Sequence, residues 1–304
     1  MRSGSQGDGS PGIPGIGPSL PYPVKAAVTL ARSAAWLART RGRPDTGGLR
    51  ILLYHRVADD DDDALALPPS RFRRQMEHLA SEGYRVVDLI EALELLDAGQ
   101  LTARTIGLTF DDGFADVAEH ARPVLVEHGF RATVFVTTGV TDGRMSFPWY
   151  ERQPPVLGWD EITELDREGT LRFEAHTVSH PSLLAVDDAT AAGEIRDCRH
   201  ELEARLGRPV SAFAYPAGLF GERERRFVAD AGYTAAVSCE PGVNRPAGDR
   251  LALRRRQIDS RDRLLDFKAK VGGGHDTPLP LRAAYRRLRY GMRTGTRQRA
   301  SSRA

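Results

Sequence analysis

The sequence predicts an α/β fold in which a parallel sheet, covered by helices, curls into a closed or nearly closed barrel. Three observations carry this expectation. From residue 49 onward, short apolar runs alternate with amphipathic stretches of helical length. The apolar runs are almost unbroken, as strands buried on both faces are. The alternation also repeats often enough to bend a sheet round on itself. With 304 residues there is material for one large core, so a single main domain is the default.

The elements follow in order. "RILLYHRV" reads as a buried strand, "SRFRRQMEHLASEGY" as a helix capped by Ser70, and "YRVVDLIEALELLDAG" as a short strand and then a helix capped by Asp88. Next come strand "TIGLTF", helix "DVAEHARPVLVEHG", strand "RATVFVTT", helix "WDEITELDREG" and strand "LRFEAH". Helix "DDATAAGEIRDCRHELEARLG", strand "SAFAYP", helix "ERERRFVADAG", strands "TAAVS" and "LALRRRQI", and helix "SRDRLLDFKAKVG" complete the series. In such barrels chemistry gathers at the C-terminal ends of the strands.

The ends of the chain differ from its body. Residues 1–48 open Gly/Pro/Ser-rich, a composition that reads as largely disordered and lacks the basic-then-apolar pattern of a secretory signal. A short basic helix follows, "VKAAVTLARSAAWLARTR", with Lys25, Arg32 and Arg39 at every seventh residue. It is too short and too charged to span a bilayer, and either lies on a membrane surface or packs on the domain; its weak hydrophobicity favours packing. The domain itself is expected over residues 49–270, with a basic tail at 271–304. Residues 281–304 hold eight arginines and no acid, which leaves 35 basic against 41 acidic side chains elsewhere. Contact of the basic termini with a membrane or an anionic polymer is one expectation, and solvated disorder the other. Cys198 and Cys239 read as packing residues, and nothing resembles a nucleic-acid module. The location expected is cytoplasmic or peripheral to a membrane.

The chemistry starts from "TFDDGF", residues 109–114, where two adjacent carboxylates follow an apolar strand. Adjacent anions repel, so something must compensate Asp111 and Asp112. "HTVSH" places His176 and His180 four residues apart at another strand end. Two imidazoles and one aspartate make a three-ligand site for zinc or a similar divalent ion, with a position left open for water. One aspartate would then bind the cation and its neighbour take a proton from the metal-bound water. Helix capping, the plain alternative for the pair, needs only one short polar side chain. Asp59–Asp63 lack the alternating ligands of a calcium loop and read as a solvated loop. Phe147, Trp149, Tyr150 and Trp159 cluster around a Pro-rich insertion, either to stack on a sugar or to pack the loop.

"TFDDGF", "HTVSH" and "FAYPAG", in this order and spacing, resemble the first three motifs of the polysaccharide deacetylases, the NodB-homology or carbohydrate esterase family 4 group, over about residues 49–270. The resemblance implies a distorted (β/α) barrel of the NodB-homology type and a hydrolase that removes acetyl groups from N-acetylated sugars of a polysaccharide or oligosaccharide. One divalent metal is implied, zinc first, with cobalt or nickel as alternatives. By motif position Asp111 matches the general base, Asp112 the metal-ligating carboxylate, His176 and His180 the other two ligands, and Ala217 the backbone N–H for the developing oxyanion. The chain departs from the family where many relatives carry an arginine, here Ala214, and where a late histidine supplies the general acid. Arg255 of "LRRRQ" shares a strand face with Leu253 and would reach Asp111 in place of the missing arginine, the equal alternative being that Arg254–Arg256 form a solvated or anion-attracting edge. His55 of "LLYHRV" resembles a histidine that takes the acid role in exopolysaccharide-type N-acetylglucosamine deacetylases, its alternative being a structural histidine bonded to a carbonyl. Two other functions stand beside this one: a deacylase of a small non-sugar amide, and a catalytically weak carbohydrate-binding relative.

Overall fold

The apolar runs become strands because their β-branched and aromatic residues can be covered on both faces at once. In chain order the strands are β1 (Arg50–Tyr54), β2 (Arg56–Val57), β3 (Ala66–Leu67), β4 (Arg85–Val87), β5 (Thr105–Phe110), β6 (Ala132–Val136), β7 (Leu171–Ala175), β8 (Ala212–Ala214), β9 (Ala235–Val237) and β10 (Arg256–Gln257). The helices are α1 (Tyr22–Thr40), α2 (Pro69–Ser81), α3 (Leu89–Asp97), α4 (Arg122–Glu127), α5 (Thr138–Thr141), α6 (Trp159–Glu168), α7 (Asp188–Leu206), α8 (Glu222–Asp230) and α9 (Leu264–Val271). The structure, a computed structural model, describes residues 22–40 and 48–274. The Gly/Pro-rich start and the basic tail lie outside the described residues.

The main sheet runs β10-β1-β5-β6-β7-β8-β9, with β4 beside the start of β5, and every pair in it is parallel. Its closure is thin. Val237 of β9 bridges Leu253, and three residues later Arg256 and Gln257 pair with Leu52 and Leu53 of β1. The expected strand "LALRRRQI" is thus split. A 3₁₀ turn at Arg250–Ala252, where the Asp249 side chain accepts the Leu251 N–H, leaves only Arg256–Gln257 as strand. The result is the expected distorted (β/α) barrel.

The period of two along each strand sorts the core. Leu52, Tyr54, Leu108, Phe110, Val134, Val136, Phe213 and Ala236 pack beneath the helices. Leu49, Ile51, Phe135, Ala212, Ala214, Ala235, Val237 and Leu253 fill the inner cluster together with α3. The same parity continues past the strand ends: His55 follows 49, 51 and 53, Asp111 follows 107 and 109, His176 follows 172 and 174, and Arg255 follows Leu253.

Two local expectations need correction. Helix α2 starts at Pro69 with no side-chain cap, so Ser70 is not its N-cap; proline at the first helical position has no N–H to satisfy. Asp88 does cap α3, accepting from Ile90 N and Glu91 N at 2.9 and 3.1 Å. The helix expected over "DVAEHARPVLVEHG" is a π-helical stretch, Val117–Ala121, followed by α4. Pro123 gives the Glu119 carbonyl no N–H, and the Arg122 N–H goes back five residues to Val117.

Helix α1 packs on the domain. Lys25 Nζ meets Asp262 Oδ1 at 2.8 Å and Asp259 Oδ1 at 3.2 Å, and the Thr29 hydroxyl donates to Asp266 Oδ1 at 2.8 Å. Among the described residues no helix is long and apolar enough to cross a membrane.

Candidate active site

The ends of β1, β5, β7, β8, β9 and β10 and two loops meet in a cleft of about 380 Å³, counting its open part. His55, Asp111, Asp112, His176, His180 and Ala217 all line it, as the sequence led one to expect, and Arg255 lies against it through Asp111. Leu65, Trp149, Cys239 and Gln257 complete the wall.

The backbone is strained where the motifs lie. The non-glycine residues with left-handed φ among the described residues are Asp112 (75°), Thr177 (67°), His180 (56°) and Ala217 (55°), all within the three motifs. By parity Asp112 would follow the helix-facing side; its left-handed turn brings the carboxylate into the cleft beside Asp111. Two motif glycines are required on steric grounds. A Cβ on Gly113 would meet Val136 Cγ1 at 2.8 Å, and one on Gly218 would meet the Cys239 nitrogen at 2.3 Å, both at positive φ.

Asp111 is buried, and Arg255 holds it from both sides: Nη1 donates to Oδ1 at 2.6 Å and Nη2 to Oδ2 at 2.7 Å. Arg255 is fully buried, with its Nε on the Ser238 carbonyl at 2.9 Å and Nη1 also reaching the Thr109 hydroxyl at 3.2 Å. Its guanidinium lies 5.5 Å from the Phe135 ring centroid. Burial alone would raise the Asp111 pKa, but the Arg255 charge and hydrogen bonds outweigh it and hold the carboxyl below its ordinary range. The neighbouring Arg254 is exposed, and its Nη1 reaches the Pro241 carbonyl at 3.4 Å instead of the aspartates.

Asp112 has the opposite environment. Burial, then the charges of Asp111 and Asp63, push its pKa well up. Its Oδ1 is buried with no hydrogen-bond partner, an expensive state unless a cation completes it. His176 Nε2 and His180 Nε2 stand 3.5 and 3.7 Å from that oxygen. Those gaps are too long for hydrogen bonds and close to the edge of a tetrahedron with metal–ligand bonds of 2.0–2.1 Å, about 3.3–3.4 Å. The three donor atoms lie within 4.8 Å of one another. His176 Nδ1 is 2.7 Å from the Ala214 carbonyl, which can only accept, so the proton sits on Nδ1 and the Nε2 lone pair faces the carboxylate. Burial lowers the pKa of both histidines and, for His180, the His176 ring adds to it, so both are neutral and able to ligate. The residues therefore fit one divalent ion.

His55 is partly buried, and its ring makes no hydrogen bond among the described residues, which speaks against a structural histidine tied to a carbonyl. Burial lowers its pKa to about 4 against a rise from Asp111, with Arg255 and His176 adding to the fall. It is neutral at pH 7 and is not a standing acid. Ala217 sits in the turn Pro216–Gly218, closed by Gly218 N to Tyr215 O at 2.7 Å and Leu219 N to Pro216 O at 3.1 Å; neither bond uses the Ala217 N–H.

Some residues that shape the site were not legible beforehand. Glu194 on α7 accepts from Val178 N (2.9 Å), Ser179 N (2.8 Å) and the Ser179 hydroxyl (2.5 Å), clamping the loop between the two histidines. Asp63 is not solvated: it is buried and accepts from Arg56 Nη1 at 2.8 Å and the Tyr150 hydroxyl at 2.6 Å, while Arg56 Nε also meets Asp116 at 2.9 Å. This network ties the loop of aspartates to the aromatic insertion. Trp149 packs edge-on to His180 at 4.8 Å and stacks on Phe147. Trp159 does not join this cluster; on α6 it packs on the main core, under Arg205. Of the cysteines only Cys198 is plain core, since Cys239 reaches the cleft.

Comparison with known proteins agrees with the geometry. Residues 98–236 match the family model described as polysaccharide deacetylase. The YxkH protein of Bacillus subtilis (strain 168) is 26% identical over 226 residues, spanning 73% of this chain and 75% of that protein. Poly-beta-1,6-N-acetyl-D-glucosamine N-deacetylase of Staphylococcus aureus (strain MSSA476) is 25% identical over 200 residues, 63% of this chain and 67% of that protein. The Streptococcus pyogenes deacetylase PplD, solved in complex with acetate, superposes with a TM-score of 0.63 at 25% identity, covering 71% of this chain and 94% of that one. The chain carries a polysaccharide deacetylase domain of the NodB-homology, carbohydrate esterase 4 kind, and with it belongs among hydrolases of carbon–nitrogen bonds other than peptide bonds.

Proposed function

We propose that residues 49–270 form a metal-dependent N-deacetylase acting on N-acetylated sugars of a polysaccharide or oligosaccharide. The observation that carries this is the pairing, in one cleft, of a vacant-valence carboxylate flanked by two imidazoles with a second carboxylate held ionised by a buried arginine. A relative of similar length that acts on an N-acetylglucosamine polymer supports the choice of substrate.

Asp112, His176 and His180 would hold the cation, which when bound supplies positive charge to polarise the acetyl carbonyl and acidify water. Asp111, kept ionised and aimed by Arg255, takes the proton from the attacking water. Each of its oxygens keeps a lone pair free of the guanidinium. The Ala217 N–H, unused by its own turn, donates to the carbonyl oxygen as that oxygen gains negative charge. The nitrogen must leave as an amine, so it needs a proton as the carbon–nitrogen bond breaks. His55, neutral at rest, serves as a relay: the proton that Asp111 has taken from the water passes to its ring and from there to the leaving nitrogen, which returns Asp111 to its ionised form.

The test is acetate release from N-acetylglucosamine oligomers by protein stripped with a chelator and then given zinc, cobalt or nickel. Release that depends on added metal is expected. Equal release with and without chelator would count against the metal, and no release on any N-acetylated sugar against the substrate.

A further inference from the structure

Helix α1 is turned inside out relative to an ordinary surface helix. Three of its polar side chains face the domain: Lys25 and Thr29 bond to acids of the 259–266 segment, and Ser33 donates to the Thr29 carbonyl beside Gly274. The exposed positions whose side chains are described are all apolar: Val24, Leu30, Pro23 and five alanines. Val24 and Leu30 are 46% and 55% exposed, the latter the highest value among the large exposed apolar residues. A surface helix ordinarily presents the reverse arrangement.

The segment that α1 packs against is sorted the same way. Asp262 and Asp266 are buried and Asp259 is partly buried, all three turned toward Lys25, Lys270 or Thr29. Its exposed residues are Arg261, Arg263, Leu264, Leu265 and Lys268. The acids of this segment are thus drawn inward, and cations and leucines stand outward. The sequence continues from Gly274, which packs against Ser33, into the stretch whose last 24 residues hold eight arginines and no acid.

We propose that the outer side of the α1 and α9 helix pair docks on the surface of an anionic lipid bilayer. The apolar face of α1 with Leu264 and Leu265 would enter the headgroup boundary, and Arg261, Arg263 and Lys268 would meet lipid phosphates. The charge sorting selects this occupant. A second copy of the same face would set cation against cation, whereas anionic headgroups complement it. The apolar face is small, so neither signal suffices alone, and binding needs both. Because Lys270 of α9 donates at 2.8 Å to the carbonyl of Gln257, which lines the cleft, docking would hold the cleft near the membrane.

The test is sedimentation of the full chain with vesicles of phosphatidylcholine alone and of an equal mixture of phosphatidylcholine and phosphatidylglycerol, at low and high salt. Binding to the mixed vesicles, weakened by salt and absent from phosphatidylcholine, is expected. Leu30→Glu with Leu265→Glu should cut the partition coefficient by about tenfold or more, and Arg261→Gln with Lys268→Gln should lower both binding and its salt dependence. These positions are exposed, so thermal unfolding and deacetylation of a short oligomer should match the parent. Equal binding to both vesicle types overturns the proposal. So does undiminished binding of the double Glu variant, since the arginine-rich stretch would then act alone. A concentration-dependent dimer that the double Glu variant abolishes, with no vesicle binding, would assign the face to a second copy instead.

Discussion

Replacing Arg255 by methionine tests how Asp111, the proposed general base, is kept ionised. Methionine is similar in length and keeps contact with Phe135, but it removes both hydrogen bonds to Asp111 and the buried positive charge. Removing one partner of a buried ion pair costs roughly 3–5 kcal/mol when the other stays charged. A cost of that size shows itself as a rise in the pKa of Asp111. The group would sooner take up a proton than remain a buried anion. In the parent protein the folded pKa lies below the usual value, so the pair contributes stability above pH ~4, lost as pH falls through the folded pKa. In the variant the folded pKa is raised, so stability is lost as pH rises from ~4 toward that new value. The deficit in melting temperature should therefore be small near pH 4 and widen toward pH 7. Rates of acetate release should fall at neutral pH, and their acid limb should move to higher pH. Melting curves across pH together with a pH–rate profile measure both. A deficit that stays constant across pH, with an unmoved acid limb, would refute the role given to Arg255.

Three further outcomes follow from the same geometry. His176→Ala and His180→Ala should each lose stoichiometric metal while the barrel stays folded, checked by metal analysis and circular dichroism, because both sit on loops beyond the strands. His55→Ala should lower kcat on N-acetyl substrates much more than on an activated acetate ester, whose leaving group needs little protonation, and equal losses would make His55 structural. Glu194→Gln keeps the shape but weakens three hydrogen bonds to the histidine loop; it should lower metal affinity by about 10- to 100-fold with little change in melting temperature, read by metal titration.

Much of this site was open to reading because it obeys a period of two. His55 and Arg255 continue the inward parity of Leu49, Ile51 and Leu253, while Asp111 and His176 take the parity opposite to the helix-facing Leu108, Phe110, Phe173 and Ala175, so their convergence follows from the strands themselves. Arg255 could be matched to Asp111 for that reason, although its strand is largely a 3₁₀ turn and a bridge. The parts that could not be read depend on contacts distant in sequence. Glu194 is one of many polar residues on α7, and only tertiary packing brings it under the histidine loop. Asp63 looked solvated in a run of five acids until Arg56 and Tyr150, 87 residues away, closed on it. Trp159 sits near the aromatic insertion in sequence but belongs to a helix with its own face. The inverted polarity of α1 was likewise hidden, because a seven-residue spacing of cations gives a helix face without saying which side the domain covers.

The paired aspartates carry the central claim, that two adjacent carboxylates hold different jobs because their surroundings differ. Metal content measured side by side for Asp111→Asn and Asp112→Asn tests it most directly. Asp112→Asn should weaken metal binding, with activity partly restored by excess metal, because an amide oxygen is a poorer ligand than the unpartnered carboxylate oxygen it replaces. Asp111→Asn should keep near-normal metal while kcat falls by roughly two to four orders of magnitude, with no rescue by excess metal. If Asp111→Asn loses the ion and Asp112→Asn keeps it, the roles are reversed; if both retain metal and activity, the catalytic reading of this site fails.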